Sequence, residues 1–151
     1  MQPLKFIPPI EQKTYEVPDD ELPQSAINLL VLEDDPDLGE TLKLFLEENG
    51  YKVTRVKDGV EGLKQVMAAD FDAILCDLMM PNLPGDMFYR AVERTKPHLC
   101  KRFIFITGHQ GNEKLALFIK SVRALTLYKP FSMQLLLENI QLIISKSRKG
   151  S

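Results

Sequence analysis

The side chains of this sequence that are best suited to chemistry stand directly after short apolar runs. Glu33 and Asp34 follow the first run, Asp77 the third, Thr107 the fourth and Lys129 the fifth. Carboxylates with no histidine or cysteine among them favour a hard cation such as Mg²⁺, which would relieve their mutual repulsion. A lysine and a hydroxyl suit an incoming phosphoryl group, since its transfer depends on charge neutralisation and positioning. The pattern predicts a metal-assisted phosphoryl-transfer site, provided that these residues meet in space.

They can meet if the apolar runs are strands of one parallel sheet. Predicted strands over residues 27–32, 51–56, 73–76, 103–106 and 125–128 alternate with amphipathic helical stretches, which is typical of βαβ units. In open α/β sheets of this kind, ligands bind beyond the carboxyl ends of the strands. We therefore predict an α/β fold, a doubly wound five-stranded parallel sheet flanked by five helices, with the polar residues at one edge.

Capping residues indicate where the helices begin. Asp35 is expected to cap the first helix, Asp58 the second and Ser132 the fifth, because Asp and Ser side chains accept hydrogen bonds from the first helical turn. Asp34 would also suit a cap, but beside the other strand-end residues we assign capping to Asp35 only. The apolar residues expected on the second helix are Val60, Leu63 and Met67.

The composition fits one folded domain with an extension. Of 151 residues, 44% are hydrophobic and 26% charged, which is typical of globular proteins. Residues 1–25, with several prolines and an acidic patch, are interpreted as a linker or extension, residues 26–147 as the domain and 148–151 as a tail.

The net charge of −2 offers no basic field for nucleic acid, and no apolar run suffices for membrane insertion. With two cysteines in no disulfide framework and no signal peptide, a cytoplasmic location is expected.

In their order and spacing these residues resemble the receiver domains of two-component response regulators, the CheY-like superfamily. The resemblance covers about residues 27–146, where an acidic pair closes the first strand. The run Asp77-Leu78-Met79-Met80-Pro81 matches the Asp-x-x-Met-Pro motif around the phosphoacceptor of that family, and Gly85 opens the next helix. Thr107 and the pair Lys129-Pro130 end the fourth and fifth strands, as in the family. The resemblance also implies a cis peptide bond before Pro130.

The resemblance implies a phosphorelay role for this site. Asp77 would take a phosphoryl group from the phosphohistidine of a sensor histidine kinase or phosphotransfer protein, or from a small phosphodonor. Thr107 would donate a hydrogen bond to that group, and Lys129 would pair with its charge. Such a domain is a signalling switch that catalyses only its own phosphorylation and dephosphorylation.

The family's cofactor is Mg²⁺, and the resemblance also implies its ligands. Glu33 and Asp34 would hold the ion directly or through water. Asp77 would contribute to its shell, and the backbone carbonyl of Met79 would be a further ligand. No other cofactor is implied.

Output to a downstream protein or a homodimer is expected through the region 111–146. Many receivers carry an aromatic residue three positions before the lysine, but this chain has Thr126 there. Tyr128 lies on the same side of the predicted strand, since side chains two apart share a face. It could supply the aromatic contact, or it could be a surface residue with no part in the switch.

Two other functions remain open from the sequence. Haloacid-dehalogenase-type phosphatases also use a strand-end aspartate with Mg²⁺, but they place a second aspartate two residues later, where this chain has Met79. A receiver-like interaction module would work by protein contact without phosphorylation. The complete set of acids, threonine and lysine argues against that alternative.

Overall fold

The computed structural model describes residues 27–108 and 112–150, the last three for the backbone only. Its strands are β1 (Asn28–Leu32), β2 (Lys52–Val56), β3 (Ala73–Asp77), β4 (Phe103–Thr107) and β5 (Leu125–Tyr128). Its helices are α1 (Pro36–Glu48), α2 (Gly59–Ala68), α3 (Gly85–Thr95), α4 (Glu113–Val122) and α5 (Met133–Gly150), and a 3-10 helix, Pro97–Arg102, precedes β4. The strands form one parallel sheet in the order β2-β1-β3-β4-β5.

Helices cover both faces of this sheet, and each face has its own apolar layer. On one face, α2, α3 and α4 pack against strand residues such as Leu30, Ile74 and Phe105. On the other face, α1 and α5 pack against the intervening residues, such as Leu75 and Ile104. Because both faces are covered, the central strands are almost continuously apolar. The predicted doubly wound α/β fold is confirmed.

The three predicted helix caps are confirmed. The side-chain oxygens of Asp35, Asp58 and Ser132 each accept a hydrogen bond from a backbone N–H of the following turn, at 2.9, 2.9 and 3.0 Å. These bonds satisfy donors that the helix itself leaves unpaired. They fix the starts of α1, α2 and α5 close to the carboxyl edge of the sheet.

Helix α2 carries the predicted apolar residues Val60, Leu63 and Met67, but two of them face solvent. Val60 and Met67 are 45% and 59% exposed, and the buried residues of this helix are Gly59, Gly62 and Val66. A Cβ placed on Gly62 would lie only 2.5 Å from Cδ2 of Leu32. The helix therefore approaches β1 at Gly62 and packs into the core through Val66, whereas Val60 and Met67 face solvent.

The predicted extension over residues 1–25 lies outside the described residues. At the other end, the backbone of α5 is helical to Gly150, so the boundary predicted at residue 147 falls within this helix. The domain limits stay predictions. The 3-10 helix before β4 was not predicted, because its short run of mixed residues has no clear period.

Gly85 provides a test of the packing behind the acidic edge. A Cβ at this first residue of α3 would lie 2.7 Å from the carbonyl oxygen of Asp77 and 2.8 Å from Cα of Leu78. Since backbone atoms cannot yield locally, we expect Gly85→Ala to lower the free energy of unfolding by about 1–3 kcal/mol in urea denaturation. Gly108→Ala is the control, because its Cβ would meet only the Lys129 side chain, at ordinary contact distances of 3.5 Å to Cδ and 3.7 Å to Cβ. Equal losses in the two variants would contradict the close packing.

Candidate functional site

The acidic residues predicted from the sequence lie together at the carboxyl edge of the sheet. β1 runs into Glu33 and Asp34, and the neighbouring strand β3 ends in Asp77. Carboxylate oxygens of the three residues all lie within 4.8 Å of one another. Glu33 and Asp77 are buried, 1% and 2% exposed, whereas Asp34 is exposed. The cluster is thus buried at its base and reaches solvent at Asp34.

Both carboxylate oxygens of Asp77 accept hydrogen bonds. The backbone N–H of Met79 donates to Oδ1 at 2.9 Å, and Nζ of Lys129 donates to Oδ2 at 2.9 Å. The first bond holds the chain immediately after β3 against the carboxylate, so Met79 lies beside the cluster. Together the two bonds fix the orientation of the Asp77 side chain.

Lys129 reaches the acids from the end of β5. Its Nζ lies 3.4 Å from Oε1 of Glu33 as well as 2.9 Å from Asp77. Burial alone would lower the pKa of Lys129, but the hydrogen bond and charge of Asp77, with the charge of Glu33, raise it above its usual value. The ammonium is therefore held in its charged form between two carboxylates. The predicted cis peptide at Lys129–Pro130 is confirmed.

Thr107 ends β4, which lies between the strands that carry Asp77 and Lys129. It is buried, with 1% of its surface exposed, and its backbone is in register with Tyr128 of β5. Its carbonyl accepts a hydrogen bond from the N–H of Lys129 at 2.9 Å. All of the predicted strand-end residues therefore lie at the same edge of the sheet.

The electrostatics of Glu33 differ from those of an ordinary glutamate. Burial, and then the charge of Asp77, raise the pKa of Glu33 to about 7, although the N–H of Asp35 and the charge of Lys129 act to lower it. Oε2 accepts the N–H of Asp35 at 3.1 Å. Oε1 is buried and has no hydrogen-bond partner within the described part of the chain. The single ammonium does not satisfy both acids.

This donor set fits a hard divalent cation. Among the described residues, Glu33, Asp34 and Asp77 are the one group of three or more aspartate, glutamate, histidine or cysteine side chains that converge in this way. They offer oxygen atoms only, which Mg²⁺ prefers. An additional positive charge here would meet Oε1 of Glu33, which accepts no hydrogen bond from the described residues, and would offset the repulsion from Asp77 that helps to raise the pKa of Glu33.

Comparison with known proteins agrees with this geometry. The chain matches the sequence model of the response regulator receiver domain over residues 29–141, most of its length. The chain belongs to this family. Receiver domains of response regulators are signalling switches. The strand-end residues described above all lie within the matched residues 29–141.

The receiver is also similar to individual proteins. It is 28% identical over 123 residues to the response regulator MprA of Mycobacterium tuberculosis (strain ATCC 25618 / H37Rv), covering 82% of this chain and 53% of MprA. It thus spans about half the length of the curated relatives it matches. A CheY-like receiver domain protein from Methanospirillum hungatei JF-1 has 25% identity and a TM-score of 0.76, over 83% of this chain and 98% of that one. The receiver domain of the Francisella response regulator 1452 has 26% identity and a TM-score of 0.71, over 80% and 98%.

Sequence reasoning missed Arg55, which organises the acidic loop of this receiver. From β2, its Nη2 and Nε donate to the carbonyl oxygen of Glu33 at 2.6 and 3.2 Å. The guanidinium lies over Gly39 of α1, where a Cβ would be 2.5 Å from Nε. It therefore fixes the backbone from which the acids project. An arginine on an edge strand gives no sequence signal for this role, although the glycine inside α1 indicates a close contact.

Asn82 is a second residue whose role the sequence did not indicate. Its backbone has a φ of 69°, a left-handed conformation that asparagine tolerates better than most residues. Its Nδ2 donates to Oδ2 of Asp58 at 2.8 Å. The N–H of Glu61 and this bond hold the pKa of Asp58 below its usual value. Asp58 thus both caps α2 and anchors the loop that follows Asp77.

No helix formed by the described residues is both long enough and apolar enough to cross a bilayer. This agrees with the absence of a long apolar run in the sequence.

The raised pKa of Glu33 predicts how the stability of the metal-free receiver depends on pH. The folded state binds this proton more tightly than an unfolded glutamate of pKa 4.5. Its stabilising contribution is fully present below pH 4.5 and is lost as the pH rises through about 7. In EDTA, we expect Glu33→Gln to match the parent at low pH and to exceed its free energy of unfolding by about 1–3 kcal/mol above pH 7.

Urea denaturation across this pH range measures the difference. Glu40→Gln, on the exposed face of α1, is the matched control and should keep a constant offset from the parent. Parallel stability curves for the parent and Glu33→Gln would show that Glu33 titrates alike in the folded and unfolded chains.

Proposed function

We propose that this receiver takes a phosphoryl group onto Asp77 from a sensor histidine kinase or a phosphotransfer protein, in a Mg²⁺-dependent reaction that switches its protein contacts. The observation that carries the proposal is the buried Asp77 carboxylate, bonded to Lys129 and surrounded by two further acids. A structural salt bridge would need one acid for one ammonium. The excess of buried carboxylate supports a site that binds a cation and transfers phosphate.

Asp77 is the nucleophile in this proposal. One of its carboxylate oxygens attacks phosphorus, a P–O bond forms, and the P–N bond to the donor histidine breaks with its electron pair left on nitrogen. Lys129 exchanges its bond to Oδ2 for a contact with the transferred group and neutralises part of its charge. Thr107 donates a hydrogen bond to the same group. Hydrolysis of the acyl phosphate returns Asp77 to its starting form.

The acids and the loop after β3 would hold the metal. Glu33, Asp34 and Asp77 would provide carboxylate oxygens, and the backbone carbonyl of Met79 would be a further ligand. When bound, Mg²⁺ supplies charge neutralisation for the phosphoryl oxygens. Arg55 keeps the backbone at Glu33 in place, so the acids need little rearrangement before they bind the ion.

Output of the switch belongs to the region 111–146, the described part of which begins at residue 112. Leu117 of α4, Tyr128 of β5 and Leu135 of α5 are 68%, 50% and 44% exposed, which suits contact with a downstream protein or a second copy. Thr126 is partly buried and is not aromatic, so Tyr128 is the aromatic residue that β5 offers to this surface.

Cys76 and Cys100 are free thiols, which fits a reducing cytoplasm as the location.

We expect the receiver to gain one phosphoryl group from acetyl phosphate in the presence of Mg²⁺, as measured by intact mass. Asp77→Asn should abolish the gain, because the amide is a poor nucleophile. Asp37→Asn removes an exposed carboxylate from the first turn of α1 and should label like the parent. If Asp77→Asn labels as fast as Asp37→Asn, the acceptor lies elsewhere. If neither the parent nor the control labels, the chain works as an interaction module without phosphorylation.

A further prediction concerns Asp34, the exposed member of the acidic cluster. Asp34→Ala should weaken Mg²⁺ binding by about tenfold or more and slow phosphorylation, because an oxygen ligand is lost. Without metal, its stability should equal or exceed that of the parent, since like-charge repulsion is relieved. NMR titration with Mg²⁺ measures binding in this tryptophan-free chain. Asp37→Asn removes the same charge nearby, and equal affinities of the two variants would refute ligation by Asp34.

A further inference from the structure

A second concave site lies at the opposite edge of the sheet, where β4 and β5 begin. It is an open cleft of about 720 Å³ between the 3-10 helix, the connection from α4 to β5 and the last turns of α5. Its apolar lining includes Phe103, Leu125 and Ile143. The cleft thus offers a hydrophobic floor far from the phosphoacceptor.

Four cationic side chains line the cleft: Lys101, Arg102, Arg123 and Lys146. Arg102 is partly neutralised by Asp70 at 3.4 Å. Within the described residues, no ion pair joins the other three to a carboxylate. A concentration of unpaired positive charge in a chain of net charge −2 indicates an anionic occupant.

Arg123 occupies an unusual backbone position in this cleft. It ends α4 in the left-handed conformation, with φ 57° and ψ 37°. Glycine or asparagine is favoured at such helix ends, and other residues cost about 1 kcal/mol or more. The chain thus places a charged side chain at the cleft where a glycine would fit the backbone better.

We propose that the acidic segment at residues 16–22 of this same chain binds in the cleft. The segment contains Glu16, Asp19, Asp20 and Glu21, which provide enough carboxylates for the three cations of the cleft that form no ion pair within the described residues. Val17 and Leu22 provide apolar groups for the floor. Charge and composition therefore both complement the cleft.

The length of the chain before β1 allows this contact. Parallel strands begin at a common edge, so Ile27 leads into the sheet on the same side as the cleft. At about 4.8 Å per strand, β4 and β5 begin roughly 10 and 14 Å from β1 in the sheet order. Residues 22–26 span up to about 16 Å when extended. Ile27 also belongs to the same apolar layer as Ile143, which lines the cleft.

This contact covers one end of α5 and the start of β5 and leaves the acidic cluster free. It is therefore independent of phosphoryl transfer, and its test does not use phosphorylation. The test compares backbone amide NMR shifts of the full-length parent with those of the triple variant Asp19→Asn, Asp20→Asn, Glu21→Gln. We expect shift changes concentrated at residues 97–102, 122–125 and 143–147. About 0.5 M salt should produce similar changes in the parent, because it screens ion pairs.

Two further variants separate a specific contact from a general charge effect. The combination of Glu40→Gln, Glu47→Gln and Glu48→Gln removes the same charge from the exposed side of α1 and should leave the cleft amides unchanged. Arg123→Gly removes a cation where glycine suits the backbone, so it should reproduce part of the shift pattern without loss of stability.

Inorganic pyrophosphate serves as a probe of whether the cleft is covered. The triple variant should bind it several-fold more tightly than the parent, since the acidic segment no longer competes. Equal binding by parent and variant would mean that the cleft is an open anion site, and unchanged cleft amides in the triple variant would mean that the segment lies elsewhere. Either result overturns the proposal.

Discussion

The contact of the Lys129 ammonium with the carboxylates of Asp77 and Glu33 joins residues from three strands and links positions 52 residues apart. Buried carboxylates are costly unless a positive charge or hydrogen bonds stabilise them. The contact therefore depends on a fold that brings the ends of β1, β3 and β5 to one edge. The two apolar layers supply the burial energy, and the acidic edge is the polar site that they support.

The parts of this arrangement that follow from the regular spacing of apolar residues in strands and helices could be predicted from the sequence. Glu33, Asp77 and Lys129 each follow an apolar strand, and parallel strands place such residues at one edge. Hydrogen bonds from a side chain to a distant loop have no period and could not be predicted, as the bonds from Arg55 to the carbonyl of Glu33 and from Asn82 to Asp58 show. The close approach of α2 to β1 at Gly62 could not be predicted either, because a helical period marks apolar side chains and not the space that a glycine leaves.

The two edges of the sheet carry opposite charges, and the helix directions complement both. Helices α1 and α3 begin at the acidic edge, where the positive ends of their dipoles face the carboxylates. Arg123 and Lys146 lie at or near the ends of α4 and α5, where the negative ends of the dipoles favour cations. The helices that cover the core therefore stabilise the carboxylates at the edge where they begin and the cations at the edge where they end.

The bond between Asn82 and Asp58 has a mechanical consequence. The chain after Asp77 is anchored at both ends, by the end of β3 and by Asn82, with only four residues between the anchors. Four residues between two fixed points can absorb only a small movement of Asp77. Because Asn82 is bonded to Asp58, which caps α2, a shift of Asp77 would be passed on to the first turn of that helix. The loop after β3 thus connects the acidic edge to the N-terminus of α2 through one hydrogen bond and four intervening residues.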